Sequence, residues 1–263
     1  MNAPLLLRAD AAGVATLTLN TPGSLNALSN AMLAALSAEL AALAKDGTIR
    51  VVILRGAGKV FCAGHDLKEM QAARQAPDHG RAAFTALFEA AATVMQAITA
   101  LPQPVIAQVH GIAAAAGCQL VASCDMAVAS IGTRFGVNGV NIGLFCATPM
   151  VAMTRNVPAK VAFEMLTTGE FISAERAREV GLINRVVEAA DLDAQTQALA
   201  QTVAAKLGPA VRIGKRAFHD QISLPLAAAY DHAGAVMVEN MLWRDTDEGI
   251  GAFLEKRKPD WQL

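Results

Sequence analysis

Hydrophobic positions along the chain switch between two periods. Residues 13–20, GVATLTLN, alternate β-forming side chains, residues 49–56 form a β-branched run, and between them NAMLAALSAELAALAKD (30–46) repeats apolar residues at helical spacing. The order strand, helix, strand continues with an alanine-rich helix near 82–100, a strand at 104–111, a short helix near 116–122 and a strand at 125–130. Repeated β-α-β units predict a mainly parallel sheet with helices packed outside it. After INRVV (183–187) no strand-like run recurs, and helices are predicted near 190–206, 209–220, 223–242 and 246–256. No internal repeat, low-complexity linker or charge block divides the chain.

Composition narrows the partners. A chain of 263 residues with 54% hydrophobic content can bury one large core. A net charge of -1 supplies no global field for nucleic acid or an acidic membrane, so neither is an expected partner. The cysteines Cys62, Cys118, Cys124 and Cys146 form no C-x-x-C pair, which predicts reduced, buried thiols and no metal site. The N-terminal apolar run is short for a signal peptide, and no apolar run has the ~20 residues that span a bilayer. A soluble protein of a reducing compartment, the cytoplasm, is the expectation.

Two strand-to-helix junctions carry the candidate chemistry. RGAGKVFCAGHDLKE (55–69) follows a strand and leads into a helix, where open α/β sheets bind ligands. A phosphate loop is excluded, because Val60 replaces the required Ser/Thr after Gly58-Lys59 and Ile53 stands where the first glycine belongs. Asp66 and Glu69 fit a capping box, with Asp66 as N-cap and Glu69 reaching back to its amide, a structural role that competes with a ligand role for Asp66. A helix starting there sets the N–H groups of His65 and its neighbours at its positive end, a natural place for an oxyanion. In HGIAAAAGCQL (110–120) small residues either admit a ligand to the backbone or pack a helix tightly. Together the junctions could clamp one carbonyl oxygen.

Acids are scarce between them. From Glu89 to Glu164 the only intervening carboxylate is Asp125, at a strand start, where a turn or salt-bridge role is the simpler reading. The remaining candidates are His65, Cys62, Cys118, Cys146, Gln119, Asn138 and Asn141, of which only His65 titrates near neutral pH. RFGVNGVNIGLF (134–145) is dense in turn residues, so its backbone passes close to a ligand or another segment.

LNTPGSLNALSNAM (19–32), VVILRGAGKVFCAGHDLKEM (51–70), VIAQVHGIAAAAGCQLVASCDMAVAS (105–130) and EGIGAFLEKRKPDW (248–261) resemble, in order, the motifs of the enoyl-CoA hydratase/isomerase (crotonase) superfamily. The resemblance covers nearly the whole chain. It implies an α/β crotonase spiral of repeated β-β-α units over 1–190, binding acyl-CoA. It also implies a helical region over 191–263 that serves oligomerisation and completes the CoA site, in a homotrimer or a homohexamer built as a dimer of trimers. The implied ligand is an acyl-CoA thioester, with no cofactor beyond its CoA moiety. The implied oxyanion hole is the backbone N–H of His65 and of Ala116. CoA contacts are implied for Asn26, Ala27, Leu28 and Ala63, and a charge role towards its phosphates for Lys68 and Lys256, the latter at a neighbouring subunit's site. Read alone, Lys256, Arg257 and Lys258 are equally a solvated basic face. The family's hydratases use two glutamates to activate water, and at those positions stand Gln119 and Gly139, with Asn138 and Asn141 as a flanking pocket wall. The expected function is therefore an altered crotonase-type reaction, such as decarboxylation, thioester hydrolysis or isomerisation. The alternatives are a weak enoyl-CoA hydratase/isomerase in fatty-acid metabolism and acyl-CoA binding without turnover.

Overall fold

Two sheets share the first three quarters of the chain in the computed structural model, which describes residues 3–262. The strands and helices run in the order β1 (Leu6–Ala11), β2 (Val14–Leu19), α1 (Asn30–Leu43), β3 (Val51–Gly56), α2 (Leu67–Ala73), α3 (Arg81–Ala100), β4 (Val105–Val109), β5 (Ile112–Ala114) and α4 (Ala116–Ser123). There follow β6 (Met126–Ser130), β7 (Arg134–Gly136), α5 (Ala147–Met153), α6 (Ala159–Thr168), β8 (Ile172–Ser173), α7 (Ala174–Glu179), β9 (Arg185–Val187), α8 (Leu192–Ala204), α9 (Gly208–Gln221), α10 (Leu226–Met241) and α11 (Arg244–Leu254).

The larger sheet has the order β1-β2-β3-β4-β6-β9 and is parallel except for β1, which pairs antiparallel with β2. Their hairpin turns at Ala12 and Gly13, both at positive φ, the backbone twist that two-residue hairpins favour. The expected parallel sheet is thus present, with one strand added at its edge. β1 escaped the sequence reading because most of its residues are exposed and only part of an apolar alternation survives.

Alternate residues of the central strands feed opposite faces of this sheet. Val52, Leu54, Ala107 and Ala129 join the main core with Leu33, Leu36 and Leu40 of α1 and Val94 and Ile98 of α3. Val51, Ile53, Ile106 and Val128 meet Leu192, Leu199 and Ala200 of α8 on the other face. The first helix after residue 190 therefore shares the sheet's core, whereas α9 buries Gly208 and the side chain of Lys215, and α10 buries no residue. α3 has the length and apolarity needed to cross a membrane, contrary to expectation. Here it packs Leu87, Ala91, Val94, Met95 and Ile98 inward and contacts α1 and α4.

The smaller sheet, β5-β7-β8, gives the fold its β-β-α units. β4 turns into β5 before α4, and β6 turns into β7 before the next helical segment. A bridge between Cys62 and Ala113 brings the segment after β3 alongside β5. The candidate junctions thereby become neighbours.

Candidate functional site

Buried hydrogen bonds hold the loop after β3 in shape. Asn26 is fully buried, accepts at Oδ1 from the Thr21 amide and donates from Nδ2 to the carbonyls of Ala57 (2.8 Å) and Val60 (2.9 Å). Its side chain is wholly committed inside the protein, so a ligand role for this residue falls to its backbone. Asp66 caps α2 as expected, accepting from the amides of Lys68 (2.8 Å) and Glu69 (3.3 Å). Glu69 does not reach back to it. Its Oε2 instead accepts from the Asn30 amide at 2.9 Å, the first residue of α1, a long-range partner that local spacing could not reveal.

The second junction is strained. Ala115 takes φ 48° and ψ -116° just before α4. A non-glycine residue held in such a conformation costs about 1–3 kcal/mol, and such residues cluster at functional sites. Its amide donates to the Gly136 carbonyl at 2.8 Å, which holds the turn in place. Ala116 then begins the helix, so its N–H is one of the donors a helix start leaves without an internal partner.

Two glycines let these segments touch. Gly64 has φ +97°, and a Cβ there would lie 3.0 Å from the Ala114 carbonyl oxygen and 3.3 Å from the Ala116 nitrogen. A Cβ on Gly117 would lie 2.3 Å from the Cys62 carbonyl oxygen. The His65 amide, next to Gly64, and the Ala116 amide are thus brought together from separate loops. Among the described residues neither donates to a protein acceptor. Such a pair of main-chain donors can stabilise charge on a carbonyl oxygen, and loss of one typically costs ~10²–10³ in rate.

The side chains beside them are neutral. His65 Nδ1 donates to the Leu28 carbonyl at 3.4 Å, and the ring meets Phe88 edge-on with centroids 5.7 Å apart. Burial lowers the His65 pKa below its usual 6.5, with the Leu28 contact acting in the opposite direction. Nε2 is buried and has no partner, as is Oε1 of Gln119. A buried polar atom left unpaired costs about 1–3 kcal/mol, so these two mark places where a ligand or water belongs. All four cysteines are buried and free. Burial pushes the thiols of Cys62 and Cys118 up to about 12 and raises that of Cys146, which leaves none of them as a ready thiolate.

Gly139 is the buried residue of a short helical turn over Asn138–Ile142. A Cβ there would sit 2.3 Å from the Leu144 carbonyl oxygen and 2.8 Å from the Cys146 sulfur. The space is filled, and that turn, tied by the Leu144 amide to the Gly139 carbonyl at 3.0 Å, is what the glycine serves. Asn141 is exposed and donates to the Gly169 carbonyl at 3.3 Å, so it braces this loop on α6. Asn138 is half-buried beside Gly139.

Among the residues assigned to CoA, the amides of Asn26, Ala27, Leu28 and Ala63 donate to Thr21, Ser24, Gly64 and Leu25. Only carbonyl acceptors are left for a ligand along that stretch. Lys68 and Lys256 are exposed. Asp125, read as a salt-bridge residue, is one: it pairs with Lys215 at 2.7 Å and His219 at 3.1 Å. Two surface clefts lie elsewhere, one of about 220 Å³ at α6 and β8 and one of about 320 Å³ between α9 and α10. The site is therefore marked by its free donors and orphaned acceptors, not by those hollows. Sequence reasoning missed Gly64, Ala115 and Phe88; the run of alanines at 113–116 gives no hint that one of them is strained.

Comparison with known proteins agrees with this arrangement. The sequence profile of the enoyl-CoA hydratase/isomerase family matches residues 9–263. The human enoyl-CoA hydratase domain-containing protein 3, mitochondrial, is 46% identical over 249 residues, covering 95% of this chain and 80% of that protein. Its Danio rerio counterpart is 45% identical over 257 residues, covering 98% and 87%. A crystal structure of the human protein superposes with a TM-score of 0.93 at 43% identity, covering 98% of this chain and all of that one. A Mycobacterium smegmatis enoyl-CoA hydratase structure gives 0.95 at 53% identity, covering 99% and 100%. The first of these relatives are described as mitochondrial, which contradicts the cytoplasmic setting expected above. Buried free thiols speak for a reducing environment and do not single out the cytoplasm. Sequence profile, relatives and superposed structures agree with the β-β-α spiral and its paired junctions: the chain belongs to the enoyl-CoA hydratase/isomerase family and has the crotonase fold.

Proposed function

We propose that the protein binds an acyl-CoA thioester and polarises its carbonyl with the amides of His65 and Ala116, supporting an altered crotonase-type reaction that uses no pair of glutamates. The observation that carries this reading is the pair of unengaged amides brought together across Gly64. Two fixed donors stabilise the enolate-like oxyanion that forms when the α-carbon loses a substituent as a cation or as carbon dioxide.

Family hydratases place carboxylates where this chain has Gln119 and Gly139. Gln119 can hold a water but cannot remove its proton, and Leu144 and Cys146 close the space at Gly139. Classical hydration is therefore disfavoured. His65, neutral and facing Phe88, is left to orient the reacting group. Binding without turnover is the second reading, favoured by the absence of any carboxylate in the sequence between Glu89 and Glu164 other than Asp125, which is spent in a salt bridge.

The helices after residue 190 are proposed to support a trimer or a dimer of trimers, with Lys256 directed to CoA phosphates bound by a neighbouring subunit. The apolar exposure of Leu226, Tyr230, Leu242 and Phe253 supports an assembly role for them. Calorimetric titration with acyl-CoAs, followed by product analysis over a panel of enoyl, hydroxyacyl and carboxyacyl thioesters, tests the function. Binding with a product other than the hydration adduct supports it; binding without any product leaves the second reading; rapid crotonyl-CoA hydration contradicts both.

A further inference from the structure

Arg50 and Arg212 share one corner of the fold without a counter-charge. Arg50 directly precedes β3, and the loop that carries the His65 amide leaves the other end of that strand, roughly 20 Å away for an extended run of its length. The Arg50 guanidinium lies against the start of α9, where a Cβ on Gly208 would come 2.4 Å from its Cζ, and its Nη2 donates to the Lys206 carbonyl at 2.8 Å. Arg212 stands one helical turn after Gly208 and donates from Nη2 to the carbonyls of Gly47 (3.2 Å) and Ile49 (3.4 Å), in the segment that leads into Arg50.

Among the described residues those carbonyls are the acceptors of both guanidiniums, and a carbonyl carries no net charge. Asp46, the acid beside this corner, is spent. Its Oδ1 accepts from the Thr48 amide (3.0 Å) and hydroxyl (2.6 Å), and its Oδ2 accepts from Arg8 (2.8 Å). Lys206, exposed, adds a third cation. Burial, followed by the charge of Arg212, lowers the Arg50 pKa from its usual 12.5. An arginine cannot relieve such crowding by losing its proton, so an anion is what relieves it.

We propose that Arg50, Arg212 and Lys206 form a binding site for a phosphate-type oxyanion, separate from the thioester site. Each guanidinium keeps most of its five N–H donors in a planar fork, which suits the paired oxygens of a phosphate group. A carboxylate matches one fork, whereas a phosphate dianion presents oxygens to both and offsets two charges. Bound there, the anion ties α9 to the segment before β3 and, through the Arg50 amide on the Gly13 carbonyl (2.7 Å), to the first hairpin. For α9, which buries little of its own surface, this is an anchor additional to Lys215.

Calorimetric titration at fixed ionic strength tests the site, with inorganic phosphate and glycerol 3-phosphate as probes and chloride as the control anion. Phosphate is expected to bind once per chain with a Kd in the millimolar range or tighter, and chloride to give no saturable heat. Arg212→Gln is expected to weaken phosphate at least about tenfold, the worth of one charge-assisted hydrogen bond. Arg212→Lys keeps the charge without the fork and is expected to bind about three- to tenfold more weakly than the wild type, which serves where the first variant fails to fold. Glycerol 3-phosphate binding as tightly as phosphate supports a site for the phosphoryl group of a larger ligand; phosphate binding alone supports a site for the free ion. No saturable phosphate binding overturns the proposal. Binding that the Arg212 variants leave unchanged overturns it too, because the phosphate is then held elsewhere, and neither result bears on acyl-CoA binding.

Discussion

Gly139 and His65 show how single residues set what this site can do. Gly139 looks like a lost catalytic position, yet its missing side chain is required by the turn: a Cβ would press to 2.3 Å from the Leu144 carbonyl oxygen. Gly139→Ala is therefore expected to lower stability by about 1–3 kcal/mol in denaturant unfolding, and Gly139→Glu to cost more and yield no hydratase. An unchanged unfolding midpoint contradicts that packing. His65 has its folded pKa below the unfolded value of 6.5. The unfolded chain then binds more protons below pH 6.5, so stability falls as pH drops from 6.5 through the lowered pKa and is flat above it. His65→Phe is expected to flatten that slope, read from unfolding curves between pH 5 and 7; an NMR titration of His65 at or above 6.5 contradicts its cause. The sequence pointed to His65 through the strand-to-helix junction. It gave no sign that Leu28 and Phe88 fix the ring, because both contacts join residues far apart in the chain.

Elements with a strong local signal were legible and the shortest were not. α1 and α3 repeat their helical period often enough to be read and β3 and β4 stand out as buried apolar runs, whereas β5, β7 and β8 have two or three residues each and carry no such signal. Those short strands build the wall on which the junctions meet. α9 was predicted as a helix, but its anchorage was not: Lys215 donates to the carbonyls of Ile98 and Gln103, both at 3.0 Å, and pairs with Asp125, its side chain 6% exposed. Burial lowers the Lys215 pKa, and Asp125 partly offsets this. Removing one member of a buried pair strands the other charge, so Lys215→Met is expected to destabilise by about 3–5 kcal/mol. Hydrogen exchange should quicken first in α9 and around Asp125. Loss of less than about 1 kcal/mol, with exchange unchanged, shows that α9 is held by other contacts.

At the scale of the whole molecule, the crotonase spiral was recognisable from motifs running in order, while the assembly proposed for the last helices rests on apolar side chains left exposed in the single chain. Leu242 and Phe253 are 81% and 82% exposed, an unusual degree for such side chains on a soluble surface. Sedimentation is expected to show a trimer or hexamer, and Leu242→Glu combined with Phe253→Glu to shift it to monomer; a wild-type monomer contradicts this. The central claim concerns the amides of His65 and Ala116 acting together on one carbonyl. Infrared difference spectroscopy on an acyl-CoA labelled with ¹³C at the thioester carbonyl tests it most directly. Two hydrogen bonds from preorganised donors weaken the C=O bond, so the labelled stretch should move to lower frequency on binding. A stretch that keeps its solution frequency, in a complex shown by calorimetry to be saturated, contradicts the account.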